Sequence, residues 1–88
     1  MSGVNKVILM GRLGQTPELK HLPSGDAFTN LSIATSKKWK DKQGKEQEKT
    51  EWHRAVAWRK TAELICKYTQ KGHQLYVEGE LQTRSYEK

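Results

Sequence analysis

A single cysteine, Cys66, occurs in 88 residues, so no disulfide can close within the chain and one thiol cannot make a metal site. Histidines stand at positions 21, 53 and 73 with no cysteine partners and no tight ligand spacing, which argues against zinc. No metal and no cofactor are expected. Long apolar runs are also missing. The longest near the start, Val7 to Met10, is too short for a signal peptide or a membrane span, and Ser2 stands where myristoylation requires glycine. No helix pattern pairs a basic face with a strongly apolar one. A membrane is therefore not an expected partner, and an intracellular, cytoplasmic protein is expected. Acidic residues are scarce, ten against sixteen Lys and Arg, leaving a formal net charge of +6. That balance favours a polyanionic partner.

What the chain does contain is modest. Hydrophobic residues make up 34% and charged residues 30%, so the core must be small. A chain this short buries only about 60 to 65% of its unfolded surface. Residues 1–88 read as one domain, without repeat or linker, and self-association would help it.

Alternation of apolar and polar residues locates the strands. "NKVILMGRL", Asn5 to Leu13, reads as a strand with a bulge or bend near Gly11. A short extended piece follows around Leu19 to Leu22, then a turn at Pro23-Ser24-Gly25-Asp26. In "AFTNLSIAT", Ala27, Leu31 and Ile33 fall on one face, opposite Phe28, Asn30, Ser32 and Ala34. In "KTEWHRAVAW", Thr50, Trp52, Arg54, Val56 and Trp58 share a face, with Glu51, His53, Ala55 and Ala57 opposite. The hydrophilic "KWKDKQGKEQEK" between them, with its Gly44 turn, is predicted to be a solvated, mobile hairpin tip. "KTAELICKYTQKG" changes to a helical period, with Ala62, Ile65, Cys66 and Thr69 on one stripe and Gly72 suited to the C′ position. Cys66 then packs as a small hydrophobe. "HQLYVEGELQTRSY" returns to alternation, with a bend at Gly79. Three strands, a helix and a fourth strand match the order of a mainly β, Greek-key oligonucleotide-binding (OB) barrel.

Tryptophans in so polar a region need a reason. Trp39 ends the second strand's run between Lys38 and Lys40, and Trp52 and Trp58 share a side with Arg54 between them. Lys37, Lys38, Lys40, Lys42, Lys45 and Lys49 crowd the connecting hairpin. Flat rings interleaved with cations suit single-stranded polynucleotide, which offers bases for stacking and phosphates for attraction. Tyr86 could add a further ring. A single strand tryptophan can equally well cover the barrel's wetter face, and a lysine-rich hairpin alone is usually only a solvated loop.

The segments "GVNKVILMGRLGQTPELKHLPSGDAFTNLSIATSKKWKD", "KTEWHRAVAWRKTAEL" and "YTQKGHQLYVEGELQTRSY" resemble the bacterial single-stranded DNA-binding protein (SSB) family, in order, from about Gly3 to Tyr86. The resemblance implies an OB barrel that forms a homotetramer and holds single-stranded DNA in replication, recombination and repair, in the cytoplasm and on the nucleoid. By position, it makes Trp39, Trp52, Trp58 and Tyr86 stacking residues, with Lys6, Arg54, Lys60 and Arg84 as basic contacts. It also makes His53 a subunit contact, with Gln74 and Tyr76 in a strand that helps join subunits. Two positions depart from the family pattern: Trp58-Arg59 stands where phenylalanine and glycine are common, and Tyr86 where tryptophan is. The chain stops at Lys88, before the family's fifth strand and the acidic tail that recruits replication and repair proteins; it reads as a truncated piece or as a barrel completed differently.

Two other functions are open to the same residues. Glu51, His53 and Arg54 could suggest a nuclease, but alternation turns Glu51 and His53 away from the face bearing Trp52, Arg54 and Trp58. An RNA-binding or primosome-type barrel of the same fold is the other, since nothing in the sequence tests for a 2′-hydroxyl. "GRLG", Gly11 to Gly14, has the letters of a KH-domain clamp but follows a strand, where that clamp joins helices.

Overall fold

The computed structural model of the chain describes residues 3–82. Its elements are β1 (Val7–Leu13), β2 (Lys20–His21), β3 (Ala27–Lys40), β4 (Glu46–Trp58), α1 (Arg59–Tyr68) and β5 (Gln74–Gly79). All pairings are antiparallel, in one sheet with the path β2-β3-β1-β5 and β4 on the other side of β3. Phe28 pairs with Lys20 on one edge and Trp58 on the other. Ala34 likewise pairs with Arg12 and with Trp52. β3 is therefore the spine on which the sheet curls.

Alternation decides which side closes. Ala27, Thr29, Leu31 and Ile33 are buried on one face of β3, and Ala57 joins them from β4. Leu13 from β1 and Ala62 from α1 complete a small core, with Ala55, Ile65, Leu75 and Val77 packed against it. Thr29 is the buried polar exception; its hydroxyl donates to the Glu18 carbonyl at 2.8 Å, so the group is not left unpaired. The helix presents the expected stripe: Ala62 is fully buried, and Ile65, Cys66 and Thr69 are half-buried. Among the described residues no helix is long and apolar enough to cross a membrane.

Four expectations need correction. Gly11 marks no bulge against β5, because the β1–β5 ladder runs in register from Val7↔Gly79 to Arg12↔Gln74. Glycine is required there by crowding, since a β-carbon would collide with the Ala34 carbonyl of β3. The expected hairpin and its Gly44 turn are present, but the tip is shorter than expected. β3 and β4 stay paired from Phe28↔Trp58 to Lys40↔Glu46, leaving a turn at residues 41–45. Cross-strand polar partners extend the ladder where apolar alternation fades: Ser36 with Thr50 at 3.3 Å, and Lys38 with Glu48 at 3.5 Å. The helix ends before Gly72. Thr69 is already extended, and both its amide and its hydroxyl donate to the Ile65 carbonyl, at 3.0 and 2.6 Å. Gly72 instead belongs to the following turn, with its amide donating to the Leu13 carbonyl at 2.9 Å. Finally, β5 ends at Gly79, and residues 80–82 belong to no strand where alternation was expected to continue; the expected stretch from Thr83 to Tyr86 lies outside the described residues. Beyond Gly79 the Asn5 side chain brackets Leu81, accepting from its amide at 3.0 Å and donating to its carbonyl at 2.8 Å.

Candidate nucleic-acid interface

The register of the long hairpin fixes one continuous outward face. Trp52, Arg54, Val56 and Trp58 on β4 stand opposite Ala34, Ser32, Asn30 and Phe28 on β3. Both tryptophans lie open, at 59% and 48% exposure. They stand six positions apart, about 20 Å at strand rise, with Arg54 between. Among the described residues Arg54 has no ion-pair partner, so its charge is free to meet an anion.

Each ring is supported from behind. Phe28 lies against Trp58 with ring centroids 5.7 Å apart and planes tilted by 35°, an arrangement favoured by the aromatic quadrupole. Trp52 lies over Gly14, where a β-carbon would come within 2.5 Å of its six-membered ring. Backbone thus supports one indole and a second aromatic supports the other.

Trp39 is elsewhere. It pairs with Gln47, and in this unbroken register every odd-numbered residue of β3 and β4 faces away from Trp52 and Trp58. It stands 43% exposed beside an open hollow of about 570 Å³ with Thr35, Lys37, Lys49 and Glu51. The three tryptophans therefore occupy two faces of one projecting hairpin, and among the described residues β4 pairs only with β3, so its outer edge is one route between those faces.

The basic candidates divide similarly. Lys37 is on the Trp39 side, while Lys38 and Lys40 alternate to the other; Lys38 is paired with Glu48 at 3.5 Å. Lys60 is exposed in the first turn of α1, directly after Trp58. That turn holds no acidic residue, so the helix's positive end is left uncompensated. Lys6 lies across the sheet, bound to Glu78 at 3.6 Å. Tyr86 and Arg84 lie outside the described residues.

His53 faces the inner side, half-buried, with Nε2 2.9 Å from the Thr35 hydroxyl of its own chain. Glu51 sits on that same side, 3.7 Å from Lys49. Gln74 and Tyr76 alternate outward on β5; Tyr76 pairs with Met10 and donates its hydroxyl to Glu78 at 3.0 Å. Ile8, Met10 and Tyr76 are all more than half exposed there.

The structure adds residues that were not singled out. Arg12 and Lys20 share rows with Trp52 and Trp58 through the pairings Arg12↔Ala34 and Lys20↔Phe28. Their even spacing on their strands was visible; which strands would be neighbours was not. At the turn anchoring the tip, Asp41 accepts from the amides of Lys45 and Gln43, both at 2.9 Å, and from the Gln47 side chain at 3.2 Å. The Lys45 amide is the main cause holding this carboxyl below its ordinary value of 3.8.

A curled, mainly β sheet with one helix before its last strand, bearing open rings and cations on its outward face, is an oligonucleotide-binding fold. The chain belongs to the single-strand binding protein family, whose model matches residues 4–88. It is similar to the solved SSB of Plasmodium falciparum in complex with ssDNA, at 38% identity and a TM-score of 0.88, covering 100% of this chain and 79% of that one. It is also similar to a deletion mutant of the single-stranded DNA binding protein from Thermus aquaticus, at 34% identity and a TM-score of 0.85. That match covers 98% of this chain and 42% of the Thermus chain.

Proposed function

We propose that this chain binds single-stranded DNA without catalysis and largely without regard to sequence, protecting it during replication, recombination and repair. The observation that carries the reading is the row Trp52, Arg54, Val56 and Trp58, open to solvent along β4 with a guanidinium between two supported indoles. Each stacked base contributes roughly 1 to 3 kcal/mol, and stacking accepts any base. Arg54, Lys37, Lys38, Lys40 and Lys60 supply phosphate attraction, and Arg12 and Lys20 extend the basic surface. The strand runs from Trp58 to Trp52 and rounds the outer edge of β4 to reach Trp39. Tyr86 and Arg84, outside the described residues, add a stacking ring and a basic contact in this reading. The Plasmodium relative's complex with ssDNA supports it.

Self-association into a homotetramer accompanies binding. The small core and the exposed Ile8, Met10 and Tyr76 on the outer face of β1 and β5 support it, with Gln74 at its margin and His53 at a second contact, while Lys6 is kept as a basic contact to the DNA. Light scattering at micromolar concentration tests this, and a stable monomer would remove it.

Tryptophan emission during titration with oligo-dT tests the binding reading. Saturable quenching is expected, and unchanged emission from a folded protein refutes it. Competition between poly(dT) and poly(rU) tests the DNA preference. Incubation of labelled single strand with Mg²⁺ is expected to leave it intact; cleavage abolished by EDTA would favour the nuclease instead.

A further inference from the structure

The junction between β4 and α1 contains a backbone feature that base stacking does not require. Trp58 is extended, and Arg59, the first helical residue, has φ of 55°. Among the described residues it is the one non-glycine residue with positive φ. Left-handed backbone is disfavoured for any residue with a β-carbon, and glycine would adopt it freely. Retained strain of this kind points to a task for the side chain.

That side chain reaches Asp26, with Nε 3.6 Å from Oδ1. The Ser24 hydroxyl donates to the other carboxylate oxygen at 3.2 Å. The arginine side chain is 76% exposed and the aspartate 45%. An ion pair so open adds little stability. It does, however, keep most of its hydrogen-bonding capacity available, because a carboxylate can accept about four bonds and a guanidinium can donate five.

Arg59 and Asp26 share an open pocket of about 420 Å³ with Trp58 and Leu22. Its apolar walls are an indole backed by Phe28 and a leucine, and its polar members set a cation beside an anion. A planar heteroaromatic ring fits that chemistry. The four bases differ in what they show to such a pair. Guanine alone offers a carboxylate two neighbouring donors, N1–H and the 2-amino group, with the O6 acceptor beside them for a guanidinium. Adenine and cytosine set a ring acceptor next to their amino group, and thymine has a single N3–H.

We propose that the Trp58 pocket is a guanine-preferring subsite. The base stacks on Trp58, Asp26 accepts from its N1–H and 2-amino group, and Arg59 donates to O6. This rests on the single-strand reading above and gives an otherwise indifferent surface one position with a base preference. A good bidentate contact discriminates by about 5-fold or more.

The test compares three oligomers of equal length at fixed salt: all-dT, dT with one central dG, and dT with one central deoxyinosine. Inosine keeps O6 and N1–H and lacks the 2-amino group, so the dG to inosine ratio isolates the second contact to Asp26. The dG oligomer is expected to bind about 5-fold more tightly than the inosine oligomer. In Asp26→Ala, and in Asp26→Asn, which preserves the side chain's shape, the ratio should fall toward one. Because the ratio is taken within each variant, a general loss of affinity cancels. Arg59→Gly, which relieves the backbone, should reduce the preference for dG over dT. Equal binding of dG and inosine by the unaltered protein, with all-dT still bound, overturns the subsite alone. Failure to bind any of the three overturns the single-strand reading and the subsite together.

Discussion

Trp52 rests on the backbone of Gly14: a β-carbon at position 14 would lie 2.5 Å from Cζ3 and 3.0 Å from Cη2 of the indole. The ring stays more than half exposed while one side of it is held by the chain leaving β1. A ring fixed in advance loses little freedom on stacking. Gly14→Ala should push it aside and weaken oligo-dT binding by about 1 kcal/mol, near the lower end of one stacking contact, in a protein that still melts cooperatively. Undiminished affinity would mean that the support is irrelevant to binding.

Trp39 and Trp52 lie on opposite faces of the β3–β4 hairpin, so a strand must pass round the hairpin to meet both, and the proposed path takes the edge of β4. Trp52→Ala should cost about 1 to 3 kcal/mol with any oligomer that binds. Trp39→Ala should cost a similar amount only with oligomers long enough to turn the edge. Affinity measured against oligo-dT length separates the two, and identical length dependence in both variants would contradict the wrapped path.

Arg54 lacks an ion-pair partner among the described residues, whereas Lys38 has Glu48 at 3.5 Å. Each neutralised phosphate contributes about -0.7 to the slope of log affinity against log salt for single strands. Arg54→Ala should make that slope shallower by about 0.7. Lys38→Ala should change it less, since Glu48 already offsets part of the charge. Binding isotherms at four or five salt concentrations are sufficient.

Asp41 anchors the hairpin turn as a carboxylate, accepting from Lys45, Gln43 and Gln47. Its pKa is lowered in the folded chain, so the ionised form is the one folding favours. The contribution is fully present above the ordinary value of 3.8 and is lost as pH falls through the lower folded value. Trp39, two residues away, should report loosening of the tip by a change of emission in that acid range. Asp41→Ala should show the loosened signal already at neutral pH, with no corresponding transition.

Local patterns carried much of this. Period-two alternation correctly sorted Leu31 and Ile33 from Phe28 and Ser32, and Trp52 and Trp58 from His53 and Ala57. A helical period correctly chose Ala62 as the inward residue. The same patterns failed where partners replace apolar content. The Lys and Glu residues flanking the tip read as loop, yet they pair across strands, and Thr69 ended the helix by bonding Ile65 before Gly72 was reached. Gly11 and Gly14 were visible as glycines, but their function is to admit Ala34 and Trp52, which are distant in sequence.

The order of residues along the chain was enough to determine the strands and helix, the basic balance, the rings destined for solvent and the family to which they belong. Tertiary structure alone decided that Trp39 faces away from Trp52 and Trp58, that Arg12 and Lys20 fall in line with them, and that Asp26 meets Arg59 beside Trp58. The reason is that alternation specifies a side chain's face only relative to its own strand. Which faces coincide depends on register and sheet curl, and both arise from contacts between residues far apart in sequence.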